Sequence, residues 1–175
     1  AQENKMVTLK SLISSVKSIP MGVKFLKTRL DIPVVPYKFL LNKTRSKLFQ
    51  KHAGIVVLIP KKGTKSGHFI VLIPRKHHIE YFSSLGRSPE SELQALHEPL
   101  SVFRNLLGKA YIYNRTVLQS GKYTINSCGA WVLTRVFLTK LKLWEFVELF
   151  KRPVSLTSPD MIVAALSLLH FVNKT

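Results

Sequence analysis

The chain has 175 residues, 46% of them hydrophobic, which excludes a disordered tail and is enough for one compact domain with its own core. Its 27 Lys+Arg against 9 Asp+Glu give a formal charge of +18, far from the balance of an ordinary soluble enzyme, and point to a polyanionic partner. A single cysteine excludes an internal disulfide; with no charged-then-apolar segment at the N-terminus, the expectation is a reducing intracellular compartment.

Residues 7–30 read as an amphipathic helix broken at Pro20, with Leu9, Leu12, Ile13 and Val16 on one face and lysines opposite. Ile32 to Tyr37 carries Pro33 and Pro36 and reads as loop, and Lys38 to Gln50 resumes a basic helical pattern. Gly54 to Pro60 and His68 to Pro74 are β-branched runs joined by a turn around Gly63, which predicts two adjacent buried strands. Ile79 to Phe82 is a third strand, ended by Ser83-Ser84-Leu85-Gly86. Pro89 to Leu107 reads as a helix capped by Ser88 and divided or kinked by Pro99, with Leu93, Leu96, Leu100, Phe103 and Leu107 as its buried stripe. Ala110 to Tyr113 and Val117 to Leu118 are strand-like. Gly129 to Phe150 is the strongest helical pattern and should form the central helix. Ser158-Pro159-Asp160 opens a last helix running to about Phe171. The fold class that follows is α+β: a central mixed sheet packed on a helix that carries the cysteine at its start, flanked by further helices. The longest apolar runs are too short to span a bilayer.

Cys128 stands where a polar loop gives way to that apolar helix. A thiol at a first helical turn faces unpaired N–H groups and the positive end of the dipole, which favours thiolate. A nucleophilic thiol also needs a base, a group that orients the base, and donors for the oxyanion. The chain supplies candidates in order: His68 in Gly67-His68-Phe69 at the start of the second strand, the Tyr81 to Gly86 strand end, and Gln119 in Leu118-Gln119-Ser120 ahead of Cys128-Gly129. His52, His77, His78, His97 and His170 lack the Gly-His-strand context. No His/Cys/acid spacing suggests a metal, and no zinc-finger, RNA-recognition or basic-zipper pattern marks a dedicated nucleic-acid reader.

Quoted as they stand, GHFIVLIP, YFSSLG, LQS and NSCGAWVL resemble, over roughly residues 54 to 140, the adenovirus-type (adenain-like) cysteine proteases and their Maverick/Polinton and SUMO-specific relatives. The resemblance implies one protease domain over 1–175, with a basic helical part over 1–52 and a catalytic core over 53–175. It implies Cys128 as nucleophile, His68 as general base or imidazolium partner, and Gln119 as oxyanion donor beside the Cys128 backbone N–H. Three departures stand out: Ser83 occupies the place of the family's acid, Phe69 that of a tryptophan, and the step from Gln119 to Cys128 is nine residues, a little longer than the family usually shows. A serine can hold the imidazole tautomer but cannot stabilise imidazolium by charge. Glu80 is the nearest acid, held in reserve, because strand alternation places it on the face opposite Ser83.

The leading expectation is thus a cysteine endopeptidase of the adenain-like class, working through a Cys-His thiolate on the capsid or core precursors of a virus or virus-like element. Its partners are a polypeptide substrate and non-specific DNA, with no cofactor beyond a DNA or peptide activator. Its location would be the virion, or the nucleus or cytoplasm of a host. Two alternatives are an isopeptidase for SUMO- or ubiquitin-like tails and an inactive, basic, DNA-binding structural homologue.

Overall fold

The computed structural model describes residues 22–64, 66–119 and 128–151. Five strands form one mixed sheet in the order β1 (Val34–Pro36), β2 (Ile55–Pro60), β3 (Gly67–Pro74), β4 (Ile79–Phe82) and β5 (Tyr111–Tyr113). The three central strands run antiparallel to one another, and each edge strand pairs parallel with the strand inside it. The fold is α+β, as the sequence pattern implies.

Both faces of the sheet are covered, which is why β2 and β3 read as continuous apolar runs rather than alternating ones. On one face Val56, Phe69, Val71, Ile73 and Phe82 pack with Trp131 of α5 (Cys128–Phe137) and Phe146 of α6 (Leu143–Lys151). Leu26 of α1 (Val23–Arg29) closes that layer. On the other face Ile55, Val57, Ile59, Ile70, Leu72 and Tyr81 pack with Leu48 and Phe49 of α2 (Arg45–Phe49), Leu93 and Leu96 of α3 (Pro89–Leu96), and Phe103 of α4 (Ser101–Leu107). Phe103 meets Tyr37 and Tyr81 edge-on at 5.0 and 5.6 Å, an arrangement worth about 0.5–1.5 kcal/mol per pair beyond burial.

The elements differ from the sequence pattern in three places. Val34–Pro36 is a strand, not loop: Pro36 ends it at the sheet edge, where a missing N–H is tolerated. The 38–50 pattern resolves into a 3₁₀ turn at Tyr37–Leu40 and α2, parted by Asn42 at φ 59° and restarted by the Thr44 cap. Pro89 to Leu107, by contrast, divides as expected near Pro99, into α3 and α4, with the break at His97, left-handed at φ 58°. Val117 and Leu118 form no strand; the amides of Leu118 and Gln119 both donate to Ser84 O at 2.9 Å. The first half of the 7–30 helix and the helix expected after Ser158 lie outside the described residues.

The central helix also divides, into α5 and α6, for a reason that lies across the sheet. Glu80 Oε2 accepts from Arg135 Nη2 at 2.6 Å, and Arg75 Nε donates to Glu80 Oε1 at 3.0 Å. The same two guanidiniums bond the carbonyls of Leu138, Thr139 and Leu141, tying down the turn between α5 and α6. Glu145 then caps α6 by accepting from Lys142 N at 2.7 Å. Arg135 is fully buried, and removing its partner strands that charge. Glu80→Gln is therefore expected to lower unfolding free energy by about 3–5 kcal/mol. Urea denaturation checks this; a loss below about 1 kcal/mol would show that the cluster does not hold α5 to the sheet.

Among the described residues no helix is long and apolar enough to cross a membrane.

Candidate active site

His68 enters β3 one residue after Gly67, and the glycine is required by packing. A Cβ at 67 would lie 2.6 Å from the carbonyl oxygen of Ile59 on the paired strand, so only glycine lets β3 begin there and set His68 opposite Ile59. The imidazole is buried at 6% exposure.

Its Nε2 lies 3.1 Å from Ser83 Oγ, at the first position beyond β4. Ser83 in turn donates to Glu92 Oε2 at 2.6 Å, and Glu92, on α3, is fully buried. The proton assignment follows from this chain. Ser83 has one proton and gives it to a carboxylate, so its oxygen accepts from Nε2–H, which leaves the Nδ1 lone pair as the basic position. Glu92 Oε2 is 3.9 Å from Nε2, and Arg87 Nη1 lies 3.5 Å from Glu92 Oε1, an ion pair without a hydrogen bond. Asn114 fixes the serine's backbone, accepting from Ser83 N at 3.0 Å and donating to Ser83 O at 2.6 Å.

The reserve acid Glu80 is not at this site. Its carboxylate is engaged by Arg75 and Arg135 within the α5 layer, the side of the sheet that strand alternation assigns to it. Glu92 is the residue the sequence reading missed, and its signal was present. It stands one turn before Leu96 and beside Leu93, on the buried stripe of α3, where an acid needs a partner.

Cys128 opens α5 and is buried beside Phe69, the residue after His68. Burial pushes its thiol above the usual range; the backbone N–H groups of Phe69, Gly129 and Cys128 itself pull the other way, and the Glu92 charge adds to the rise. Burial thus outweighs the helix-start amides and runs against the thiolate form at rest. Burial likewise depresses His68, against the Glu92 carboxylate that raises it and with Arg87 that lowers it further. Both trends favour neutral thiol and neutral imidazole at rest.

Gln119 is 9% exposed, with its Oε1 accepting from Ser84 Oγ at 2.7 Å. That bond orients the amide so that its NH₂ end is the donor facing away from Ser84. The turn carrying Ser83 and Ser84 closes with Gly86 at φ 65°, where a Cβ would sit 2.6 Å from the backbone of Thr116. Glycine thereby lets the segment leading to Gln119 lie directly on the β4 turn. Of the other histidines, His52, His77 and His97 are exposed, His78 is half-buried, and His170 lies outside the described residues. Among the described residues no His/Cys/acid group could hold a metal ion.

No family model and no curated protein matches the chain. Among solved structures it is similar to the ASFV pS273R protease, at 13% identity and TM-score 0.44, covering 85% of this chain and 66% of that one. It is also similar to the SUMO protease Ulp1, solved with its catalytic cysteine oxidised to a sulfinic acid, at 14% identity and TM-score 0.39, covering 94% and 76%. The chain thus spans just under two thirds of the ASFV protease. At such scores the chemistry has to be read from the side chains themselves.

Proposed function

We propose that the protein is a cysteine endopeptidase of the adenain-like class that cleaves capsid or core precursors of a virus or virus-like element. The observation that carries this reading is the buried His68, whose Nε2 is bonded to Ser83 at 3.1 Å while the following residue, Phe69, lies against Cys128. In the reaction, Cys128 Sγ attacks the scissile carbonyl carbon as its proton passes to His68 Nδ1. The carbonyl π electrons move to oxygen, and the oxyanion is received by the Gln119 amide and the Cys128 backbone N–H. The imidazolium then protonates the leaving amine, the C–N bond breaks, and a thioester remains. Water, deprotonated by the same imidazole, hydrolyses the thioester and restores the thiol. The test is cleavage of a precursor or peptide panel with Cys128→Ala as control; labelling of Cys128 by a SUMO vinylsulfone, without precursor cleavage, would instead make the protein an isopeptidase.

The charge supports DNA as a helper. Between Gly22 and Lys51 the exposed Lys24, Lys27, Lys38, Lys43, Arg45, Lys47 and Lys51 are accompanied by one acid, Asp31. Such a surface binds phosphates without reading bases, and would hold the enzyme on the polyanion that its substrates coat. With six or more phosphate contacts, DNA affinity is expected to fall roughly 10³-fold or more between 50 and 200 mM salt. Titration by fluorescence anisotropy checks it; salt-insensitive binding, or none, overturns the polyanion role.

A further inference from the structure

We propose that Glu92 is the carboxylate of this site, a positioning residue that acts on His68 through the Ser83 hydroxyl. The inference rests on the protease reading for its effect on rate, but not for its effect on the imidazole.

The geometry runs in one direction. His68 Nε2–H donates to Ser83 Oγ at 3.1 Å, and Ser83 O–H donates to Glu92 Oε2 at 2.6 Å. The serine is fully buried, its backbone is clamped by Asn114, and Leu85 N approaches the same oxygen at 3.4 Å, so the hydroxyl has little freedom to turn. Glu92 lies in the first turn of the eight-residue α3, where the helix dipole favours an anion. A fully buried carboxylate must be paired, and the groups facing it are the Ser83 hydroxyl, the His68 ring and Arg87. A serine between carboxylate and imidazole does what a directly bonded acid does, at one remove. It fixes the Nε2–H tautomer and keeps a negative charge 3.9 Å from the ring when imidazolium forms. The proton from Cys128 stops at Nδ1; none passes to Glu92.

The charged groups that act on the ring are Glu92 from α3 and Arg87 from the turn before it, and Glu92 also acts on Cys128 of α5 and Tyr81 of β4. Glu92 is the one among them that raises the basicity of His68. Glu92→Gln, which keeps shape and hydrogen bonding but not charge, should therefore lower the His68 titration midpoint. It should move the acid limb of kcat/KM to lower pH and reduce the plateau about 10- to 100-fold. Because the relay is one unit, Ser83→Ala should cost about as much, and Ser83→Ala with Glu92→Gln should be no worse than Ser83→Ala alone. Ser83→Asp with Glu92→Gln sets a carboxylate directly beside Nε2 and should recover most of the loss.

The decisive measurement is ¹⁵N NMR of the His68 imidazole, with thermal unfolding of each variant as the fold control. An unchanged midpoint in folded Glu92→Gln, or single losses that multiply in the double variant, overturns the proposal. If Glu92→Gln does not fold, Ser83→Ala leaves every charge in place and should reduce the Nε2–H tautomer; an unchanged tautomer is equally fatal. Absence of cleavage by the unmodified protein defeats the protease reading alone, since the imidazole titration is read without substrate.

Discussion

Cys128→Ala is expected to abolish cleavage, with a loss on the order of 10⁴–10⁶ in kcat, and His68→Ala to come close to it. In the proposed mechanism the two groups act in one step: the thiol is a poor nucleophile until its proton has somewhere to go. Burial strengthens that dependence, because it pushes the thiol up and the imidazole down, so neither charge is available at rest. The ion pair has to be made during attack, and the Cys128→Ala/His68→Ala double variant should be no slower than the worse single one. Single-turnover kinetics on a cleaved peptide checks this. Residual turnover within tenfold of wild type in Cys128→Ala would exclude covalent catalysis at this residue. The same trend predicts iodoacetamide alkylation of Cys128 that climbs into the alkaline range, with no plateau near pH 6, since deprotonation lies above the usual thiol value.

Gln119→Ala is expected to lower kcat about 100- to 1,000-fold while leaving KM within a few-fold. The donor matters when negative charge reaches the carbonyl oxygen, not when substrate first binds, so the penalty falls on the transition state. Its effect depends on aim. The Ser84 hydroxyl, 2.7 Å from Oε1, and the amide of Gln119, 2.9 Å from Ser84 O, hold both ends of the residue to the β4 turn. Gln119→Glu should be at least as damaging, because a carboxylate would turn an acceptor toward the oxyanion. A KM rise with kcat unchanged would assign Gln119 to substrate binding instead.

Much of this arrangement was legible in the sequence because its signals are local. Gly67 before His68 marks a strand start that no larger residue fits, and the polar-to-apolar switch at Cys128 marks a helix start. Ser83, counted back from Gly86, falls at the imidazole because the turn that ends β4 is short and closed by that glycine. What escaped was carried by contacts between distant segments. Glu92 reaches Ser83 from a different element, and in sequence it resembles the acids that commonly begin a helix. The break between α5 and α6 depends on arginine–carboxylate pairing across the sheet, while periodicity alone runs straight through Leu138 to Leu141. The pairing of β1 with β2 joins Val34 to Val56, and a strand of three residues containing proline has no pattern of its own to show.

Ser83 and Ser84 are neighbours, yet one bonds His68 and the other Gln119, the base and the oxyanion donor of the proposed mechanism. The two bonds that hold His68 and Gln119 thus start from residues joined by a single peptide unit, whose Cα–Cα separation of about 3.8 Å does not vary. Loops elsewhere can lengthen or drift without changing that ruler. A shift of that turn would disturb the supports of His68 and Gln119 together, while Gly67 still holds the start of β3 against Ile59.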